Sequence, residues 1–284
     1  MKRWSVSLLA ACLAGASLAA CDEPMPEPPP PLPAEDDFHD PLSTPAEPTL
    51  SPSAFASAAS CQPCHESHFA EWKTSMHAYA MVDPVFRALV KVRQQDFDGE
   101  QDQFCTQCHS AIGTRGGEIV DGFSFDQLSP IVLEGITCEA CHKITDVQRP
   151  YNSGHVIDPT APLYGGFATD AAPHGAAQTD LYAESVYCAG CHDVIEVSGL
   201  ELERPYEEWL ESPAFAAGTT CQSCHMPGRE GSAGPGGPER EIHDHRFIGV
   251  DIPLSEDFVS DAERQIIRDG VVALLSTAAS LELG

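Results

Sequence analysis

Apolar positions fall into two orderly groups at the ends of the chain and little regular pattern between them. The first is an unbroken run, "SVSLLAACLAGASLAA", which follows Lys2 and Arg3. It is too short to span a bilayer and rich in small residues, so residues 1–20 read as a signal peptide. The second is a helical stripe of Ile266, Ile267, Val271, Leu274, Leu275 and Ala278, preceded by a capping box at Ser260 and Glu263. This pattern predicts a helix over about 261–278, within a C-terminal segment 252–284 that packs rather than reacts. Residues 22–60 hold many prolines and acids, no Lys or Arg and few large apolar residues. With Cys21 they predict a disordered, partly polyproline tether over 21–60. From 61 to 251 the pattern predicts short helices separated by long loops, with "MPGREGSAGPGGPER" at 226–240 a loop. The fold class is therefore mainly α with extensive coil.

The long middle segment carries one motif five times. Cys61-x-x-Cys64-His65, Cys105-x-x-Cys108-His109, Cys138-x-x-Cys141-His142, Cys188-x-x-Cys191-His192 and Cys221-x-x-Cys224-His225 use ten of the 12 cysteines. A following His in all five copies has chance odds of roughly one in ten million, and it points to covalent haem attachment. Two thiols three residues apart can bond the two vinyl groups of one haem, and the next His lies beneath its iron. Zinc sites use such cysteine pairs two at a time and neither zinc nor disulfides need the His. A redox Cys-x-x-Cys comes singly, beside a βαβ pattern that is missing here. Five haem c groups are expected, held by about 38 residues each over 61–250. That is too little chain to cover five porphyrins with a conventional core, so the haems should form most of the core themselves.

Two cysteines lie outside the motifs. Cys12 leaves with the signal peptide, and Leu18-Ala19-Ala20-Cys21 resembles a bacterial lipobox, which makes Cys21 the expected lipidation site. Acyl chains there would anchor an exported domain at a bacterial membrane, facing the periplasm. Asp22 is a retention signal for the inner membrane in some bacteria. Removal of Lys2 and Arg3 takes the formal charge from −28 to −30. This excess of acid excludes nucleic acid as a partner and suits redox partner proteins with basic docking patches; simple solubility is the plainer explanation.

The middle segment also repeats at a larger scale. Cys105 and Cys138 are 33 residues apart, as are Cys188 and Cys221; Phe104 and Tyr187 precede the first motif of each pair. "GITCEACH" at 135 and "GTTCQSCH" at 218 present the second. Haems two and three thus form one module and haems four and five another, with the first haem in front. "EWKTS" at 71 and "EWLES" at 208 are a fainter echo.

Seven further histidines are available as second ligands: His39, His68, His77, His155, His174, His243 and His245. His39 sits in the tether and reads as solvated. If the helix after the first motif continued, His77 would lie ~18 Å along it from His65, so it is expected to serve a different haem. His68 projects from the same side as His65 and cannot easily reach the far face of that haem. For both, a supporting or surface role is the alternative. The sequences "CxxCHxxxxxxWxxSxHA" at 61–78, "EGITCEACH" at 134, "PHGAAQTDLYAESVYCAGCHD" at 173–193 and "TCQSCHMP" with "HDHRFIGVD" after it resemble multihaem c-type cytochromes. They are similar to those that share packed haem pairs with the tetrahaem carriers of nitrifying bacteria and with hydroxylamine oxidoreductase. That resemblance implies distal ligands at His77, His174 and His245, a fourth at His155, and a fifth at His68 or His243. Relatives of this kind often carry a further domain after the haem region.

Two functions fit these residues. An electron carrier needs irons closed by two ligands, and the six histidines at 68, 77, 155, 174, 243 and 245 suffice for five; Met76, Met81 and Met226 are better read as packing. A reductase or oxidase of small nitrogen or sulfur compounds needs one open iron with proton-moving groups, for which Tyr182, Tyr187, Arg204 and Tyr206 are candidates. No motif ends in Lys in place of His, which argues against a nitrite reductase of the lysine-ligated type. The ligand count favours the carrier, so no catalytic residue is expected. A sensory lipoprotein ranks last.

Overall fold

A computed structural model describes residues 48–170, 172–196 and 198–278. The signal run, Cys21 and His39 lie outside the described residues. Thirteen α-helices occur among them, most of one or two turns. The first is α1 (Ala58–Cys61), capped by Ser57, whose hydroxyl accepts from the Ala59 N–H. The chain turns through the motif and restarts as α2 (Glu66–Trp72), then as α3 (Met76–Tyr79) with Ser75 as its cap. The helix thus breaks at residues 73–75, so His77 does not lie on a continuation of α2. α4 (Pro84–Asp96) starts where Asp83 accepts from Val85 N–H and Pro84 supplies a preset φ.

The remaining motifs each occupy a helix end: α5 (Gln103–His109), α8 (Cys138–His142), α9 (Val186–His192) and α12 (Cys221–His225). Between them lie α6 (Ala111–Arg115), α7 (Pro130–Leu133), α10 (Pro205–Leu210) and α11 (Pro213–Ala216). The chain closes with α13 (Asp261–Ala278), where Ser260 and Glu263 bond each other's backbone N–H.

Among the described residues, eight short strands, which have no visible alternation in the sequence, form four two-stranded ribbons. β1 (Ile144–Val147) pairs antiparallel with β2 (His155–Ile157), and β3 (Leu163–Gly165) parallel with β4 (Ala176–Gln178). β5 (Val194–Ile195) pairs with β6 (Glu201–Glu203). The stretch expected as a loop at 226–240 is instead a hairpin: β7 (Gly228–Gly231) pairs with β8 (Arg240–His243), and only the Gly/Pro-rich middle is loop. Strands of two to four residues carry too few positions to show a period.

The described residues belong to one compact unit. Its buried apolar side chains form four separate clusters. The largest gathers Met81, Phe86 and Val90 with Ile119, Phe123, Phe125, Leu128 and Val132. The others gather around Phe55, Ile112 and Ile144, around Trp72, and around Val259 under α13.

Candidate haem-binding centre

The ten motif cysteines are all free thiols. They converge across motifs rather than within them. Cys61 and Cys138 lie within hydrogen-bonding reach, as do Cys188 and Cys221, and Cys108 and Cys191. In the first two pairs one thiol ionises more readily at the other's expense: the hydrogen bond lowers Cys61 and Cys221 and raises Cys138 and Cys188. Burial pushes Cys141 up to about 12.

Four of the five motif histidines show a common orientation. The Nδ1–H of His65 donates to Ala233 O at 2.6 Å, that of His109 to Ala80 O at 3.3 Å, that of His142 to Tyr164 O at 2.6 Å and that of His225 to Ile248 O at 2.7 Å. A backbone carbonyl on Nδ1 fixes the tautomer and leaves the Nε2 lone pair for a metal.

Three of these rings face a second histidine from a distant part of the chain. Ring centroids are 6.1 Å apart for His65 and His174, 6.1 Å for His192 and His77, and 6.2 Å for His142 and His245. Two imidazoles on opposite sides of one iron, each at a metal–nitrogen bond of about 2 Å, place their centroids roughly 6 Å apart. The free paired thiols, the Nδ1 bonds and these separations fit covalent haem with two histidine ligands. His65 and His68 are also 6.3 Å apart, but they stand three residues apart around one helix turn and cannot straddle a metal. Desolvation holds His77 and His245 down to about 3, so both stay neutral and able to ligate near pH 7.

The other expected ligands sit differently. His155 packs against Gly190, its Nε2–H donates to Tyr187 O at 2.7 Å, and its Nδ1 lies 3.7 Å from Cys191 Sγ. Its Nε2 is thus occupied where the motif histidines leave theirs free. His243 is exposed and its Nδ1–H donates to Met226 O, beside the fifth motif. His68 meets His245 edge-on at 4.7 Å. Among the described residues no second histidine ring takes a comparable position against His109 or His225. Phe86 stacks flat on His109 at 3.8 Å. The proposed proton-moving groups divide: Tyr182 donates to Cys141 O at 2.7 Å and stacks on His142, while Tyr187 is half-buried with its hydroxyl enclosed beside Cys141. Arg204 and Tyr206 line a separate cleft of about 160 Å³ with Glu201, Glu203 and Glu207.

Sequence reasoning passed over Glu71 and Arg229. Glu71 is 5 % exposed and bonds Arg229 at 2.7 Å and the His245 backbone N–H at 3.1 Å. His68, Glu71 and His245 lie close enough to hold a metal ion, but both carboxylate oxygens already have partners. Only the recurrence of "EW" at 71 and 208 hinted at this residue.

Residues 60–143, with the first three motifs, match the family model described as "Cytochrome c554 and c-prime". This segment is similar to c-type cytochromes of that family. A curated relative, cytochrome c-554 of Nitrosomonas europaea, is 30 % identical over 94 residues, which take in 31 % of this chain and 37 % of the relative. The match spans little more than a third of the relative's length. No solved structure matches the chain. No described helix is long and apolar enough to cross a membrane.

Proposed function

We propose that the chain is an exported pentahaem c-type cytochrome that passes electrons between redox partners, anchored to a membrane through Cys21. The observation that carries this reading is the set of three histidine ring pairs, His65/His174, His142/His245 and His192/His77, at 6.1 to 6.2 Å. The five cysteine pairs would hold five haems, which supply the redox-active iron and most of the core. The histidine pairs would close the first, third and fourth irons, and two imidazole ligands favour electron transfer at comparatively low potential.

The thiols support a connected path. Motif one neighbours three (Cys61, Cys138), motif three neighbours four (Cys141, Cys191), and four neighbours both two (Cys108) and five (Cys221). The fourth site would be the branch point.

The test is intact mass for five haems, with electron paramagnetic resonance of the oxidised protein. His77→Ala and His174→Ala should each turn one low-spin haem high-spin, and added imidazole should reverse the change. Unchanged spectra would sink the pairing. Cys21→Ser should release the protein from the membrane fraction.

A second reading, reduction or oxidation of a small nitrogen or sulfur compound, draws on His109 and His225, which face no second histidine among the described residues. A high-spin signal in the wild type that shifts with nitrite or hydroxylamine, together with turnover, would favour it over the carrier.

A further inference from the structure

Two adjacent residues of α2 reach opposite sides of the third site. Trp72, 9 % exposed, donates its indole N–H to Ile136 O at 2.7 Å, two residues before Cys138. That bond anchors the base of α8, which ends at His142. Glu71 points the other way. One oxygen accepts from Arg229 on β7 and the other from the backbone N–H of His245. Arg229 pairs with Ile242 across the ribbon, and His245 lies two residues beyond β8, so Glu71 ties β7 to the segment that leaves the hairpin.

We infer that α2 is a two-sided brace for the third haem, with Trp72 positioning the His142 side and Glu71 positioning the His245 side. This rests on the His142/His245 pairing proposed above. A buried carboxylate is costly unless paired, and its removal strands the partner donors. The grip on His245 is thereby strong and specific: Arg229 and the 245 N–H have no other bond of this kind in the hairpin.

The second "EW" copy separates the two roles. Trp209 donates to Thr219 O at 2.8 Å, two residues before Cys221, as Trp72 does before Cys138. Gly135 and Gly218, one residue earlier, both have positive φ, +70° and +74°. Glu208, the counterpart of Glu71, is exposed, and its carboxylate forms no hydrogen bond or ion pair among the described residues; only its backbone N–H is bonded, to Arg204 O. The tryptophan therefore serves the proximal side in both copies, and the glutamate serves a distal segment only in the first.

The experiment uses the full chain with five haems confirmed by intact mass. His245→Ala should convert one low-spin haem to high spin, reversed by imidazole. Glu71→Ala should lower the same low-spin signal, also recovered by imidazole, and Glu71→Gln should lower it less because one acceptor for the 245 N–H remains. Glu208→Ala should leave all signals unchanged. If His245→Ala acts and neither Glu71 variant does, the brace is wrong and the pairing stands. If His245→Ala changes nothing, the pairing fails and takes the brace with it. An equal effect of Glu208→Ala would show a general loosening and overturn the specific role. Should Glu71→Ala not load five haems, the isosteric Gln variant decides.

Discussion

Gly135 sits at φ +70°, and a Cβ there would lie 2.5 Å from the His77 carbonyl oxygen. The Ile136 N–H donates to that same carbonyl at 3.1 Å, so one turn links the third motif to the ligand proposed for the fourth iron. Gly135→Ala should cost at least about 1 kcal/mol from the left-handed φ alone. It should also disturb a haem other than its sequence neighbour, seen as loss of the low-spin signal that His77→Ala removes. The motif residues were legible in sequence because thiol, thiol and imidazole lie within five positions. Which second histidine faces which motif was not, since His65 and His174, His142 and His245, and His192 and His77 are each more than a hundred residues apart. In the sequence, His155 and His174 look alike. What distinguishes them is the nitrogen already bonded: Nε2 to Tyr187 O in His155, Nδ1 to Gly175 O in His174.

Among the elements, α13 follows from its sequence because eighteen residues display a full stripe and a cap. The ribbons do not: their two to four residues show no period, and the hairpin of β7 and β8 meets Glu71 from a distant part of the chain. Ser260→Ala should destabilise the fold by about 1 kcal/mol, read from thermal unfolding. The Glu263 carboxyl is held down to about 2 by the Ser260 N–H and hydroxyl and by Lys73. Its folded value lies below the ordinary 4.5, so its stabilisation is present above pH 4.5 and is lost as pH falls toward 2. The difference in melting temperature between wild type and Glu263→Gln should therefore narrow across that window.

At the scale of the whole molecule, a formal charge of −28 sets how redox reagents approach. Electron exchange with a cationic ruthenium hexaammine should slow as salt rises, and exchange with ferricyanide should quicken. Equal salt dependence for the two would mean that the surface field does not steer encounter. The four small apolar clusters also explain what sequence could and could not give. Chain length per motif led to the expectation that haems form most of the core, whereas the order in which motifs neighbour one another emerges only from the folded thiols.

The wide separation of paired histidines also bears on how such a chain would be matured during export. His77 would already be outside when the fourth haem is attached, so that iron could close at once. The first haem would wait for His174, and the third for His245, which follows the fifth motif. With the pairings proposed here, a product truncated just after the fifth attachment motif would carry every porphyrin yet leave its third iron half-bound.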